Sequence, residues 1–180
     1  FLCELPCDTR LPITTIKYKF VKNEFSNKEV LLNSWADSIF ITMHPKDLSK
    51  KNMVFVDGGD IKLRTAGLDH FESEKVESYY IDKYEVTNAD FLSFVKKGGY
   101  TNSNYWEKGS DDYIKLFTDK TGFKSPSTWE LGTYPFGKSD YPVSGISWYE
   151  ALAYCKSLGK TLPNIYQWDN ASSMRFSNEI

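Results

Sequence analysis

The chain has 180 residues, of which 41% are apolar and 16% aromatic, enough for one domain with a real core. Its formal net charge is −2, with Lys interspersed among Asp and Glu, so it lacks the basic stripe that a DNA or RNA backbone requires, and a nucleic-acid partner is excluded. No run of about eighteen apolar residues occurs, so no segment reads as a membrane-spanning helix.

The sequence opens on Phe1 rather than Met, without a charged stretch leading into an apolar one, and is expected to be an internal segment of a longer protein. Residues 1–50 read as a small β-rich segment or module. Its apolar, β-branched runs lie at Ile13–Val21 and Ser38–Met43, with polar turns at Lys22-Asn23-Glu24 and Ser26-Asn27-Lys28. Pro45 to Lys51 is polar and basic and reads as a linker. Cys3 and Cys7 have poor zinc spacing without a second pair, and a local disulfide or two thiols are the alternatives.

From residue 53 the pattern changes. Met53-Val54-Phe55-Val56 is an apolar strand and Asp57-Gly58-Gly59-Asp60 a turn feeding Ile61-Lys62-Leu63, which together give a hairpin signal. Thr87 or Asn88 caps a helix whose apolar face is Phe91, Phe94 and Val95 and which Gly98-Gly99 stop. Tyr100 to Asp140 is rich in Gly, Ser, Asp and aromatics and too irregular for one regular element. Within it, Trp106 and Trp129 are the candidates for a peptide-binding groove, with burial inside the loop as the favoured reading.

The most informative stretch is Tyr141 to Ala171. Ser147-Trp148-Tyr149-Glu150 has the S-x-x-E form of a capping box. The Ser hydroxyl takes a first-turn N–H, and the Glu reaches back to the cap. Ala151, Tyr154, Cys155 and Leu158 then form an apolar stripe before Gly159, a left-handed stop. Past Leu162-Pro163, Asn164-Ile165-Tyr166-Gln167 opens a second short helix with Trp168 and Ala171. Trp148 and Trp168, each beside a helix start, are expected in one core with Tyr84 and Phe91.

Other catalytic patterns fail. Gly145-Ile146-Ser147-Trp148-Tyr149 lacks the second Gly of a nucleophile elbow, neither His44 nor His70 has a partner at ligand spacing, and neither Gly pair is a phosphate-binding G-x-G-x-x-G. The residues alone nominate no catalytic, cofactor or metal site.

PVSGISWYEALAYCKSLGKTLPNIYQW resembles the signature of formylglycine-generating enzyme-like domains, the sulfatase-modifying factor family, whose members read close to PV-x-x-VSW-x-x-A-x-x-YC-x-x-x-GK-R-LPTEAEWE. Thr161 stands for the usual Arg, Asn164 and Ile165 for Thr-Glu, and Gln167 and Asp169 for two flanking acids. This wording is similar to the branch attached to bacterial serine/threonine kinases. Upstream, Met53 to Ile61 resembles the family's opening, with Asp57 in place of Pro, and Asp82 to Asn88 resembles its DKYEVTN. In the family the Glu and Asn of that motif are structural hydrogen-bonders, the role implied for Glu85 and Asn88. The resemblance places residues 53–180 as the N-terminal portion of the domain. It implies an α+β, C-type-lectin-like fold whose first strands pair with strands from the domain's end, beyond Ile180. The family's redox cysteines, copper thiolates and calcium sites are likewise expected beyond Ile180.

Two functions follow from the resemblance. In the first, the domain is a protein- or peptide-binding or sensing module, as in the extracytoplasmic part of a kinase-linked protein. In the second, it is part of a copper-dependent oxidase that converts a substrate cysteine to formylglycine. The substitutions at Ile165 and Gln167 favour the first, and this segment is expected to be catalytically silent.

Overall fold

In the computed structural model the structure describes residues 4, 14, 16–32, 41–46, 52–109 and 111–172. Cys3, Cys7 and residues 47–51 of the expected linker lie outside them. The chain forms two compact units, residues 1–83 with 165–180 and residues 84–164, and the boundary expected near residue 50 falls within the first. Helices and small antiparallel sheets together make an α+β protein.

In the first unit β1 (Ile16–Phe20) pairs with β2 (Lys28–Leu32), Ile16 opposite Leu32, and Lys17 forms an ion pair with Glu29. The burial of β1 alternates residue by residue, as a half-covered strand should. The strand expected over Ser38–Met43 is not found at Ile41–Met43, its described part. Instead Pro45 bridges Phe25, and the Ser26 and Lys46 amides bond the His44 and Glu24 carbonyls.

The expected hairpin between Met53–Val56 and Ile61–Leu63 is also replaced. β3 (Met53–Val56) pairs with β6 (Tyr79–Asp82), and β4 (Gly59–Ile61) with β5 (Glu74–Val76). One register runs through both ladders: the alignment that sets Met53 opposite Asp82 also sets Ile61 opposite Glu74. The glycine pair therefore bends a single long arm instead of reversing it. At the bend, a Cβ on Gly58 would lie 2.1 Å from the Val76 carbonyl oxygen, and the Gly58 N–H donates to Ser78 Oγ at 3.0 Å.

Helix α4 (Ile165–Ser172) starts where its sequence predicts but faces differently: its buried residue is Asp169, and Trp168 is half exposed. The Asp169 carboxylate accepts the Arg64 and Thr65 amides and the Thr65 hydroxyl. Burial would raise its pKa, but the bonds from Thr65 and Arg64 outweigh this and hold it below the usual carboxylate range. Tyr79 and Tyr166 donate their hydroxyls to the Gln167 and Glu72 carbonyls.

The second unit has an aromatic core. Helix α1 (Asn88–Lys96) starts on a Thr87–Asp90 capping box and buries Asn88, Phe91 and Phe94. Short helix α2 (Asp111–Ile114) follows a 3₁₀ turn at Ser103–Tyr105, and α3 (Trp148–Ser157) starts on the Ser147–Glu150 capping box. Phe91, Phe94, Tyr100, Trp106, Trp129, Ala153 and Tyr154 pack together, with Phe91 stacked on Tyr154 at 5.4 Å. The inward face of α3 is Glu150, Leu152, Ala153 and Tyr154, while Leu158, expected on the stripe, is exposed and Cys155 is half-buried. The proposed Trp148–Trp168–Tyr84–Phe91 core is thus corrected. Of the four only Phe91 is buried; Trp148 is 59% exposed and Tyr84 is exposed too.

Candidate functional site

Within the second unit, a cleft of about 290 Å³ opens at the start of α3. Leu116, Phe117 and Ile146 give it apolar walls; Thr118, Ser127 and Ser147 bring hydroxyls, and Glu150 lies at its base. The capping box builds that base. Ser147 Oγ accepts the Glu150 amide at 3.3 Å, while Glu150 Oε2 accepts the Ser147 amide at 2.7 Å. Glu150 Oε1 takes the hydroxyl of buried Tyr100. Burial, then the adjacent Glu150 charge, pushes the Tyr100 phenol above its usual range, so it stays a donor.

Two further devices shape the walls. The Gly145 carbonyl accepts both the amide (2.8 Å) and the hydroxyl (2.9 Å) of Ser127, and the Ser144 carbonyl accepts the Thr128 hydroxyl at 2.7 Å. Only glycine fits at 145: its φ is 73°, and a Cβ would lie 2.6 Å from Thr128 Cγ2. On the other side, Asp119 gathers its own loop. One oxygen accepts Thr121 N and Oγ1 (both 2.8 Å) and Phe123 N (3.0 Å); the other accepts Ser125 Oγ (3.1 Å) and Gly132 N (2.7 Å). Burial of this carboxylate opposes ionisation, but the hydrogen bonds, that from Gly132 foremost, hold its pKa far below the usual range. The Lys124 ammonium caps α2 by donating to the Ile114 and Lys115 carbonyls, and burial lowers its pKa against the pull of Glu150.

An aromatic rim adjoins the cleft through Tyr149, which stacks on the wall residue Phe117. Tyr113 and Tyr149 stack with centroids 5.5 Å apart, and Trp148 stands edge-on to Tyr149 at 5.3 Å; all three are exposed. Trp106 and Trp129, the groove candidates for which burial inside the loop is the favoured reading, are buried, at 7% and 1% exposed. Each indole N–H has a partner inside, Gly99 O for Trp106 and Asn88 Oδ1 for Trp129. Asn88 also donates to the Lys138 carbonyl, a wholly structural set of bonds, whereas Glu85 is exposed. Asp119 had no motif to announce it; the one sequence signal was an Asp followed at short range by Thr, Gly and Ser.

Glu150 Oε2 and the Ser147 hydroxyl are engaged in capping and Glu150 Oε1 with the Tyr100 hydroxyl, and both histidines belong to the first unit, His44 paired with Asp57 at 3.2 Å. Among the described residues no group of three His, Cys, Asp or Glu is arranged to hold a metal. No helix of the described residues is long and apolar enough to cross a membrane.

The chain is similar to the formylglycine-generating enzyme of Mus musculus, 29% identical over 172 residues that cover 81% of this chain and 46% of that protein. It is 30% identical over 104 residues to the hercynine oxygenase of Mycobacterium tuberculosis, covering 53% of this chain and 24% of that protein. It is 28% identical over 125 residues to a serine/threonine-protein kinase of Chlamydia pneumoniae, covering 67% of this chain and 19% of that protein. The chain spans less than half the length of these curated relatives. With the profile of the sulfatase-modifying factor enzyme 1-like domain matching residues 40–178, the chain belongs to that family.

Proposed function

We propose that this chain serves as a protein- or peptide-binding, sensing form of the family's C-type-lectin-like domain, within a kinase-linked protein, and that its ligand occupies the cleft at the start of α3. The observation that carries the reading is the exposed aromatic rim of Tyr113, Trp148 and Tyr149 beside a cleft whose ionisable groups are all committed to holding the fold. Tyr and Trp supply large contact area at low entropic cost, which is why they concentrate in the energetic centres of interfaces. The similarity to a chlamydial kinase supports the linkage. A screen of the 180-residue chain against a mixed-sequence peptide library tests it: ligands should be retained by the chain and lost by Trp148→Ala. A screen that returns no Trp148-dependent peptide would remove the reading.

The similarity to the mouse enzyme favours a second reading, part of an oxidase forming formylglycine. Its copper needs soft thiolate ligands. Cys155 is the described thiol, half-buried against the core on α3, and so these residues do not fit a copper site. Copper and calcium sites, on this reading, belong to other parts of a complete family domain.

A further inference from the structure

We infer that the α3 cleft reads a proline-rich segment in the polyproline II conformation, an inference that rests on the peptide-binding reading and names its ligand class. Four rings stack in series from the core to the surface. Trp106 on Phe117 is at 6.0 Å and 20°, Phe117 on Tyr149 at 6.3 Å and 27°, and Tyr149 on Tyr113 at 5.5 Å and 8°. The column runs from a 7% exposed ring to a 51% exposed one, and Trp148 closes it at 84° to Tyr149. The exposed rings are therefore held in place before a ligand arrives, and little side-chain entropy remains to be lost on binding.

The other common modes of peptide recognition do not match this surface. Strand addition needs an unpaired strand edge, and residues 84–164 contain only the isolated bridges Thr87–Pro142 and Glu130–Thr133 among the described residues. A docked helix lays an apolar stripe into a hydrophobic groove, whereas half of this cleft's lining, Thr118, Ser127, Ser147 and Glu150, is polar. Phosphate or acidic-motif recognition uses arginine clusters, and residues 84–164 contain no arginine.

What the cleft offers is complementary to polyproline II. That conformation has no internal hydrogen bonds, so its carbonyls seek outside donors, while its pyrrolidine rings present apolar surface without an N–H. The cleft's own acceptors, Gly145 O, Ser144 O and both Glu150 oxygens, are already taken. By contrast the Tyr113 and Tyr149 hydroxyls and the Trp148 indole N–H make no hydrogen bond within the described residues. Free donors at the edges of the exposed Tyr113 and Trp148 rings suit a ligand rich in carbonyls and poor in N–H groups.

The test is a fluorescence and calorimetric titration of the 180-residue chain with a blocked proline decapeptide and, in parallel, a glycine-serine decapeptide. The proline peptide should saturate and the glycine-serine peptide should not. Trp148→Ala should weaken proline-peptide binding about tenfold, and Tyr113→Phe, which keeps the ring and removes the donor, about threefold, both with a melting midpoint within about 4 °C of the wild type. Equal binding of the two peptides, no saturation by proline, or undiminished binding by both variants would overturn the inference. If the library screen yields Trp148-dependent ligands without proline, only the ligand class falls. An empty screen removes the binding reading with it.

Discussion

Replacing Asp119 by Asn should cost the second unit about 3 to 5 kcal/mol, although the two side chains are nearly the same size. Five donors converge on this buried carboxylate, and the loop they shape carries Trp129 into the core and Ser127 to the cleft wall. An Asn would keep its oxygen where three donors meet, with the bonds weakened to about half by loss of charge, and would turn its NH₂ toward Gly132 N–H. That leaves a buried amide without an acceptor, worth about 1–3 kcal/mol by itself. Followed by tryptophan fluorescence, the thermal midpoint should fall by about 10 °C or more. The pH dependence provides an independent check. A carboxylate with a depressed folded pKa contributes its stability above its unfolded pKa of about 4 and loses it as pH falls further. The gap between wild type and Asp119→Asn should thus be full at pH 6 and shrink below pH 4. Equal midpoints at pH 6, or a gap that widens in acid, would refute the reasoning.

Ser147→Ala should cost about 1 kcal/mol by removing one cap bond, measured by urea unfolding, with the α3 start otherwise retained. Trp129→Ala should cost about 3 to 5 kcal/mol, whereas Trp148→Ala, which gives up one edge-on ring contact, should cost no more than about 1 kcal/mol; a reversed order would sink the core assignment. Gly58→Ala should break the β3–β6 and β4–β5 arm, seen as fast amide exchange at Ile61 and Val76, since its Cβ meets backbone atoms that cannot yield. Cu(I) titration of the chain and of Cys155→Ser should give the same isotherm; tight binding lost with Cys155 would move the oxidase reading to first place.

Residue spacing alone placed the starts and stops of α1 and α3, the start of α4 and the family resemblance, but not α2. Those features are local: the Ser147–Glu150 box closes over four residues, and α1 and α3 stop just before Gly98 and Gly159. Which way those helices face was settled by packing between distant residues. Trp148 and Trp168 read as core because they are the largest apolar residues at two helix starts, yet Glu150 and Asp169 turn inward instead. Each carboxylate answers donors distant in sequence, the Tyr100 hydroxyl in one case and the Arg64 and Thr65 amides in the other. Leaving such buried donors unpaired costs more than exposing part of an indole ring. The same holds for the glycine pair at 58–59: its local signal is equally that of a reversal and of a bend, and the returning arm at 74–82 settles which forms. The cleft draws on both: the Ser147–Glu150 box and the Asp119 turn are local, but Gly132, Ser127 and Tyr100 reach Asp119, Gly145 and Glu150 across 13, 18 and 50 residues, which no spacing announces.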